Sequence, residues 1–229
     1  LDLPSDACRT WLLIHTDDCD AYSTSDKMLK DINNIMNSEW KTEIVDSSYV
    51  LGVKRDRWID DDGLWHVKMS MQAFITDLAQ AFASDLTEAF GRRTVKTPFP
   101  EELMHMLTKA IVPADGEIDR NISRGYQRLV GSLLWCVRHV SPACAYGCSQ
   151  LCKLMACPTD LAWHAALHML LYLSQNSERG IIFSESEGEP IAYVDASNKD
   201  DPADGRTQYG YSIHWGGPLI VKSGKLSHV

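Results

Sequence analysis

Four of the five residues before Thr16 are apolar, Trp11, Leu12, Leu13 and Ile14, and such a run predicts a strand buried on both faces. It ends on two adjacent acids, Asp17 and Asp18. Ser23, Thr24 and Ser25 then offer N-caps for a helix over 26–40, with Met28, Leu29, Ile32, Ile35 and Met36 on one face. Residues 45–58 then read as a strand, Asp60-Asp61-Asp62-Gly63 as a tight turn, and 64–69 as the hairpin partner.

From 70 to 177 the period is helical. Ser70 is positioned to cap a helix carrying Phe74, Ile75, Leu78 and Phe82, and 91–119, with Pro98, Pro100 and Pro113, is a connecting stretch. Three more helices are predicted over 122–140, 142–155 and 161–174, with Pro142 and Pro158 where helices start or stop. The pattern then returns to β, with strands near 180–185, 190–195, 207–215 and 218–222 expected to form one incomplete antiparallel sheet. Asp195 closes the second of them.

Composition narrows the class. A chain of 229 residues with 45% hydrophobic residues can bury a full core. No apolar run approaches the roughly 20 residues of a membrane-spanning helix. The segment LDLPSDACRT lacks the charged and apolar regions of a secretory signal. An intracellular, non-membrane protein is therefore expected, its seven cysteines reduced. The net charge of −9 excludes a chain that binds nucleic acid strongly through overall charge. Basic residues do gather locally, at Lys54, Arg55 and Arg57, at Arg92, Arg93 and Lys96, and at Arg120, Arg124 and Arg128, whose four-residue spacing makes one stripe on a helix. That stripe fits a solvated helix face or phosphate contact equally.

Several groups invite chemistry. Asp17 and Asp18 either form a turn or hold a divalent cation, and spacing alone favours the turn. The Asp60–Gly63 segment lacks the later ligands and distal Glu of a calcium loop, so it is a hairpin turn. Cys144, Cys148 and Cys152 lie at i, i+4 and i+8 on one helix, a small-residue packing stripe rather than the paired ligands of tetrahedral zinc. His164 and His168 have the spacing of a zinc helix, but Ala165 stands where that motif needs its Glu.

These residues carry a resemblance. Thr16-Asp17-Asp18 after an apolar strand looks like the YxDD box of reverse transcriptases, and Tyr49-Val50-Leu51-Gly52-Val53 is similar to the YFLGI segment of copia-type LTR retrotransposon polymerases. Residues 126–134, YQRLVGSLL, resemble that family's YRSLVGSLL, Ser141-Pro142 its RPD, and Trp163 with Leu171-Tyr172-Leu173 its HW and LRYL. Asp195-Ala196, Asp201-Pro202, Arg206 and Gly210-Tyr211 align without gaps on DADWAGDPDDRRSTSGY, and Gly216-Gly217-Pro218 with Lys222-Ser223 on GGPISWKSKKQ. The matches run from about Trp11 to Val229 in the family's order.

The resemblance implies an α+β chain with partial polymerase palm hairpins over 1–69, a helical thumb or connection over 70–177, and the opening antiparallel strands of a ribonuclease H-like domain over 178–229. It implies template-directed DNA synthesis by a two-metal site, with Asp17 and Asp18 as two of its three acids, Asp195 as the first acid of the nuclease, and Mg²⁺, replaceable by Mn²⁺, as cofactor. His15 and Thr16 would lie near the primer strand, and Arg120, Arg124 and Arg128 along the template–primer backbone. The implied partners are an RNA or DNA template–primer, deoxynucleotides and upstream polyprotein segments. Three departures bear on activity: His15 replaces the usual Tyr, Thr16 a common Val, and Ser197 a frequent Asp. The third palm acid and the fingers are expected before Leu1, and the nuclease Glu after Val229. The alternative is a non-catalytic remnant or domesticated scaffold that keeps the fold.

Overall fold

The structure, a computed structural model, describes residues 8–16, 18–45, 48–99, 120–185, 188–197 and 205–226, with the backbone alone described at 120–123. The chain is mixed α and β with small antiparallel sheets. It divides into two compact units, Leu1–Arg55 and Asp56–Val229.

In the first unit, β1 (Thr10–His15) and β2 (Asp18–Ser23) form an antiparallel hairpin. The pairing runs from Thr10 opposite Ser23 to His15 opposite Asp18. The expected hairpin is therefore present, but its burial is not. Every residue of β1 is exposed, Leu13 at 58% and Ile14 at 62%. The reason is architectural: this sheet has two strands, and helix α1 (Asp26–Glu39) packs against β2 rather than β1. Ser25 caps α1 by accepting a bond from the Met28 amide at 3.4 Å. No residue of α1 is fully buried: Leu29, Ile32 and Met36 are half-buried, while Met28 and Ile35 stay exposed.

The stretch 45–58 is not one strand. Leu51 and Gly52 both take positive φ, 53° and 78°, the conformation of a two-residue type I′ hairpin turn, for which Gly is suited and Leu is not. The turn folds β3 (Tyr49–Val50) onto β4 (Val53–Ile59), with Tyr49 opposite Lys54.

In the second unit, the end of β4 turns into β5 (Trp65–Ser70) through the acidic segment. Asp60 Oδ1 accepts from the amides of Asp62 at 3.0 Å and Leu64 at 2.9 Å, and Gly63 takes φ 82°, as expected of an Asx-type hairpin turn. His66 stacks on Trp58 at 5.1 Å and bridges Asp60 Oδ2 at 2.8 Å and Ser184 Oγ at 2.9 Å. The hydrogen bond from His66, joined by the Leu64 amide, holds the Asp60 carboxyl below its ordinary range.

Two expectations fail here. The strand at 180–185 does not join the C-terminal sheet: as β6 (Gly180–Ser184) it pairs antiparallel with β5, from His66 opposite Ser184 to Ser70 opposite Gly180. Ser70 is accordingly the buried last residue of β5 and not a helix cap, and α2 (Gln72–Ala81) starts after Met71 without a side-chain cap. Strand pairing over more than a hundred residues is set by packing, which local pattern does not register.

The core is helical. Helix α2, α3 (Ala83–Phe90), α4 (Arg120–His139), α5 (Ala145–Lys153) and α6 (Asp160–Gln175) supply most of the buried side chains. The predicted helices at 122–140 and 161–174 match α4 and α6, while 142–155 opens as a short 3₁₀ turn at Pro142–Cys144 before α5. Residues 100–119 of the expected connection lie outside the described residues.

The YQRLVGSLL segment sits inside α4. Tyr126, Leu129, Val130 and Leu133 recur at helical spacing and are fully buried, and the Tyr126 hydroxyl donates to the Leu151 carbonyl of α5 at 2.7 Å. Each buried Leu there is worth about 2–5 kcal/mol against Ala. Burial pushes the Tyr126 hydroxyl up from its ordinary range and the Cys136 and Cys144 thiols each up to about 12. Cys144 and Cys148 are buried among these helices, in keeping with a packing stripe.

The C-terminal sheet has the order β7 (Ile191–Ala196), β8 (Gln208–His214), β9 (Pro218–Lys225), all antiparallel. Buried Gln208 donates to Ser223 Oγ at 3.0 Å and to Ser149 Oγ of α5 at 3.4 Å, tying the sheet to the helices. The Gly216-Gly217 turn ties it to β6: the Ser184 amide donates to the Gly216 carbonyl at 2.7 Å.

Candidate active site

The hairpin mouth is built by register. His15 faces Asp18 across the strands, so the connection is only Thr16 and Asp17. Asp17 lies outside the described residues. Thr16 takes φ 55°, a left-handed conformation that a β-branched residue rarely adopts, and its hydroxyl lies 3.2 Å from His15 Nδ1. Asp18 opens β2 and is exposed. The mouth therefore presents an acid to solvent at the end of a two-stranded hairpin. Such a donor fits a hard divalent cation: Mg²⁺ keeps several waters and is held by one or two carboxylates together with substrate phosphates. Among the described residues no three His, Cys, Asp or Glu side chains stand together as a closed metal site.

Two residues further along the same strand face is Asp20, which sequence reasoning missed. It is buried, 8% exposed. Its Oδ2 accepts from Arg55 at 2.5 Å and from the Tyr22 hydroxyl at 2.7 Å. Arg55 also bonds the Tyr22 hydroxyl and lies over its ring, 5.7 Å from the centroid. An acid, an acid and a tyrosine at alternate positions of one strand were a visible signal, whereas the Arg 35 residues away was not.

Asp195 lies in the second unit, on β7, apart in sequence and in compact unit from Asp18. It is exposed, and its Oδ1 accepts from the following Ala196 amide at 2.9 Å. It borders an open concavity of about 550 Å³ between the C-terminal sheet and the start of α5, which Pro142, Tyr146, Tyr193, Gln208 and Ser223 also line.

The basic stripe is on α4. Arg124 and Arg128 are exposed, Arg120 opens the helix with its side chain outside the described residues, and Arg128 lies 5.6 Å from the centroid of the Phe82 ring. That cation–π contact gives Arg128 a packing role alongside any phosphate contact.

His164 and His168 do not face a ligand together. Both rings lie against Phe90, at 4.6 and 5.8 Å, and His168 Nδ1 is 3.3 Å from the Pro98 carbonyl. Burial holds the His168 imidazole below its ordinary range, the bond to Pro98 opposing and nearby His164 adding to the effect. An unfolded chain takes up that proton near pH 6.5, the folded chain only at lower pH. Between those two values the unfolded state binds more protons, so this residue removes stability as pH falls from about 6.5 and removes no more below the folded value. Urea midpoints at pH 7.5 and 5.5 should differ less in His168→Gln than in the unmodified chain, and an equal acid-side loss in both would refute the assignment.

The chain is 26% identical over 220 residues to the retrovirus-related Pol polyprotein from transposon RE2 of Arabidopsis thaliana. The likeness is to a retrotransposon polyprotein. It covers 94% of this chain and 14% of that polyprotein. The match supports a retrotransposon polyprotein segment. No family model and no solved structure matches the chain.

Proposed function

We propose that this chain is the part of a copia-type retrotransposon polyprotein in which the end of a reverse transcriptase palm passes through thumb or connection helices into the first strands of a ribonuclease H-like domain. The observation that carries the reading is the tight hairpin whose mouth bears Asp18 immediately after Asp17, in a chain similar to a Pol polyprotein along nearly its whole length. In this reading Asp17 and Asp18 hold Mg²⁺, or Mn²⁺ in its place, and the bound ion supplies charge neutralisation for phosphoryl transfer. Asp18 stands opposite His15 in the pairing, His15 and Thr16 face the primer strand, and Arg120, Arg124 and Arg128 follow the template–primer backbone. Deoxynucleotides are the substrates, and Asp195 serves the nuclease.

A three-acid clamp does not work with two acids, so the 229-residue chain alone should not extend a primed template in Mg²⁺, and supplying an upstream fingers and palm segment should confer extension. Robust extension by the chain alone, lost in Asp18→Asn, would show that the third acid is in this chain. The exposed apolar side of β1 favours this reading over a self-sufficient scaffold, because an added palm strand would cover it. Hydrogen exchange should then show β1 amides gaining protection when the upstream segment is added. Unchanged exchange and no extension together would favour the non-catalytic scaffold.

A further inference from the structure

Three polar side chains of the second unit form a hydrogen-bonded series that neither Asp18 nor Asp195 enters. Ser184 Oγ lies 2.9 Å from His66 Nδ1, and His66 Nε2 lies 2.8 Å from Asp60 Oδ2. Register places them: Ser184 on β6 stands opposite His66 on β5, and Asp60 anchors the turn that leads into β5. The bond from His66 favours the ionised Asp60 carboxylate, which only accepts, so the proton of the neutral imidazole sits on Nε2. Nδ1 is then an acceptor, and the Ser184 hydroxyl donates to it. A hydroxyl thus rests on a base, and the base is held by a third group. The two ring nitrogens exchange duties relative to the usual Ser-His-Asp arrangement, where Nε2 takes the serine proton, but the proton path has the same three members.

Each member is held a second time. Asp60 Oδ1 accepts from the amides of Asp62 and Leu64, the His66 ring stacks on Trp58 at 5.1 Å and 17°, and the Ser184 amide is bonded to the Gly216 carbonyl. Reagents still have access, because Ser184 is only half-buried and the Asp60 side chain is 31% exposed. Ile182, on the same face of β6 two residues before Ser184, and Trp58 are both exposed and offer apolar surface beside the hydroxyl. We propose that Ser184 is a nucleophile, with His66 as its base and Asp60 as the positioning residue, that takes the acyl group of a small activated carboxylic ester. Ser184 Oγ bonds the carbonyl carbon as its proton passes to His66 Nδ1. The bond from that carbon to the leaving oxygen breaks, and the oxygen takes the proton from Nδ1. Water then adds to the acyl-serine by the same route, releasing the carboxylic acid and restoring Ser184.

The test uses the full 229-residue chain and a fluorophosphonate, which marks an activated serine: Oγ bonds phosphorus, fluoride leaves and the proton passes to His66. Intact mass should show one adduct, peptide mapping should place it on Ser184, and the urea-unfolded chain should take up none. Labelling should vanish in Ser184→Ala and slow on the order of 10²-fold or more in His66→Gln. Asp60→Asn is the informative variant. Its Oδ1 still accepts from the turn amides, but its other atom now donates, which moves the imidazole proton to Nδ1 and takes away the acceptor of the Ser184 proton. Labelling should slow on the order of 10²-fold or more, and the imidazole ¹⁵N shifts should change from Nε2–H to Nδ1–H, which loss of a merely structural bond would not do. The unmodified chain should also hydrolyse p-nitrophenyl acetate, and the fluorophosphonate should block it.

If a variant fails to fold, the map of the unmodified chain carries the test. No adduct on the folded chain, or an adduct elsewhere than Ser184, would overturn the inference. So would a folded Asp60→Asn chain labelled as fast as the unmodified one, or ¹⁵N shifts that place the proton of the unmodified neutral ring on Nδ1.

Discussion

Replacing Gly216 by Ala is expected to destabilise the second unit by about 3 kcal/mol or more. Gly216 takes φ 65°, where an L side chain is strained. A Cβ built on it would also run into the Ser184 carbonyl oxygen, a backbone atom that cannot swing aside. The same turn is closed on its other residue, since a Cβ on Gly217 would stand 2.5 Å from the Ile182 carbonyl oxygen and 2.8 Å from the Phe183 ring. The GGP segment is thus where the backbone of the C-terminal sheet comes up against β6, joined by the bond from the Ser184 amide. Urea unfolding followed by circular dichroism should show the loss in Gly216→Ala, whereas Gly205→Ala, with positive φ but nothing within 4 Å of the added carbon, should cost only the conformational strain. Equal costs at the two positions would mean that the close approach to β6 is not made.

Asp18→Asn should lower primer extension on the order of 10²-fold to 10³-fold when the chain is assayed together with the upstream segment, the scale of losing one preorganised electrostatic group at a reacting centre. The substitution keeps the size of the side chain and its place at the first residue of β2, opposite His15, so the hairpin should survive. Asp195 lies on another sheet in another compact unit, and Asp195→Asn should slow removal of RNA from a hybrid in the complete polyprotein while extension continues. Single-turnover extension and hydrolysis of a labelled RNA–DNA hybrid separate the two losses. Loss of both activities in each variant would contradict the assignment of the two acids to separate sites.

Local order was plain in the sequence and long-range pairing was not. Ser25 and the apolar spacing of 26–36 foretold α1, Pro142 and the helical period over 122–140 foretold α4, and Asp60 to Gly63 foretold the turn, because caps, helical periods and Asx turns act within a few residues. The single strand expected over 45–58 concealed a reversal because Leu51 adopts positive φ against its own preference. Pattern also assigned β6 to the wrong sheet, since Gly180 and Ser184 read the same whichever strand they join. At the candidate site the adjacent acids were visible from the start, while the Asp20–Arg55 pair depended on a turn that brings together residues 35 apart. The burial expected of β1 was an inference from its apolar run, which records what a strand needs covered and not whether a cover is present.

Strand β7 has a consequence for handling the protein. Among the described residues it is an edge strand of the order β7, β8, β9, exposed along all six residues, with Ile191 at 54%, Tyr193 at 60% and Val194 at 76%. Its sequence, IAYVDA, holds one charge, Asp195. An open, apolar β edge recruits other edges unless a charge interrupts it. As the one charge on that strand, Asp195 is expected to act as a gatekeeper against fibrillar stacking of one chain on the next. Neutralising it to probe nuclease chemistry removes that guard, and a sample of Asp195→Asn should precipitate at lower concentration than the unmodified chain.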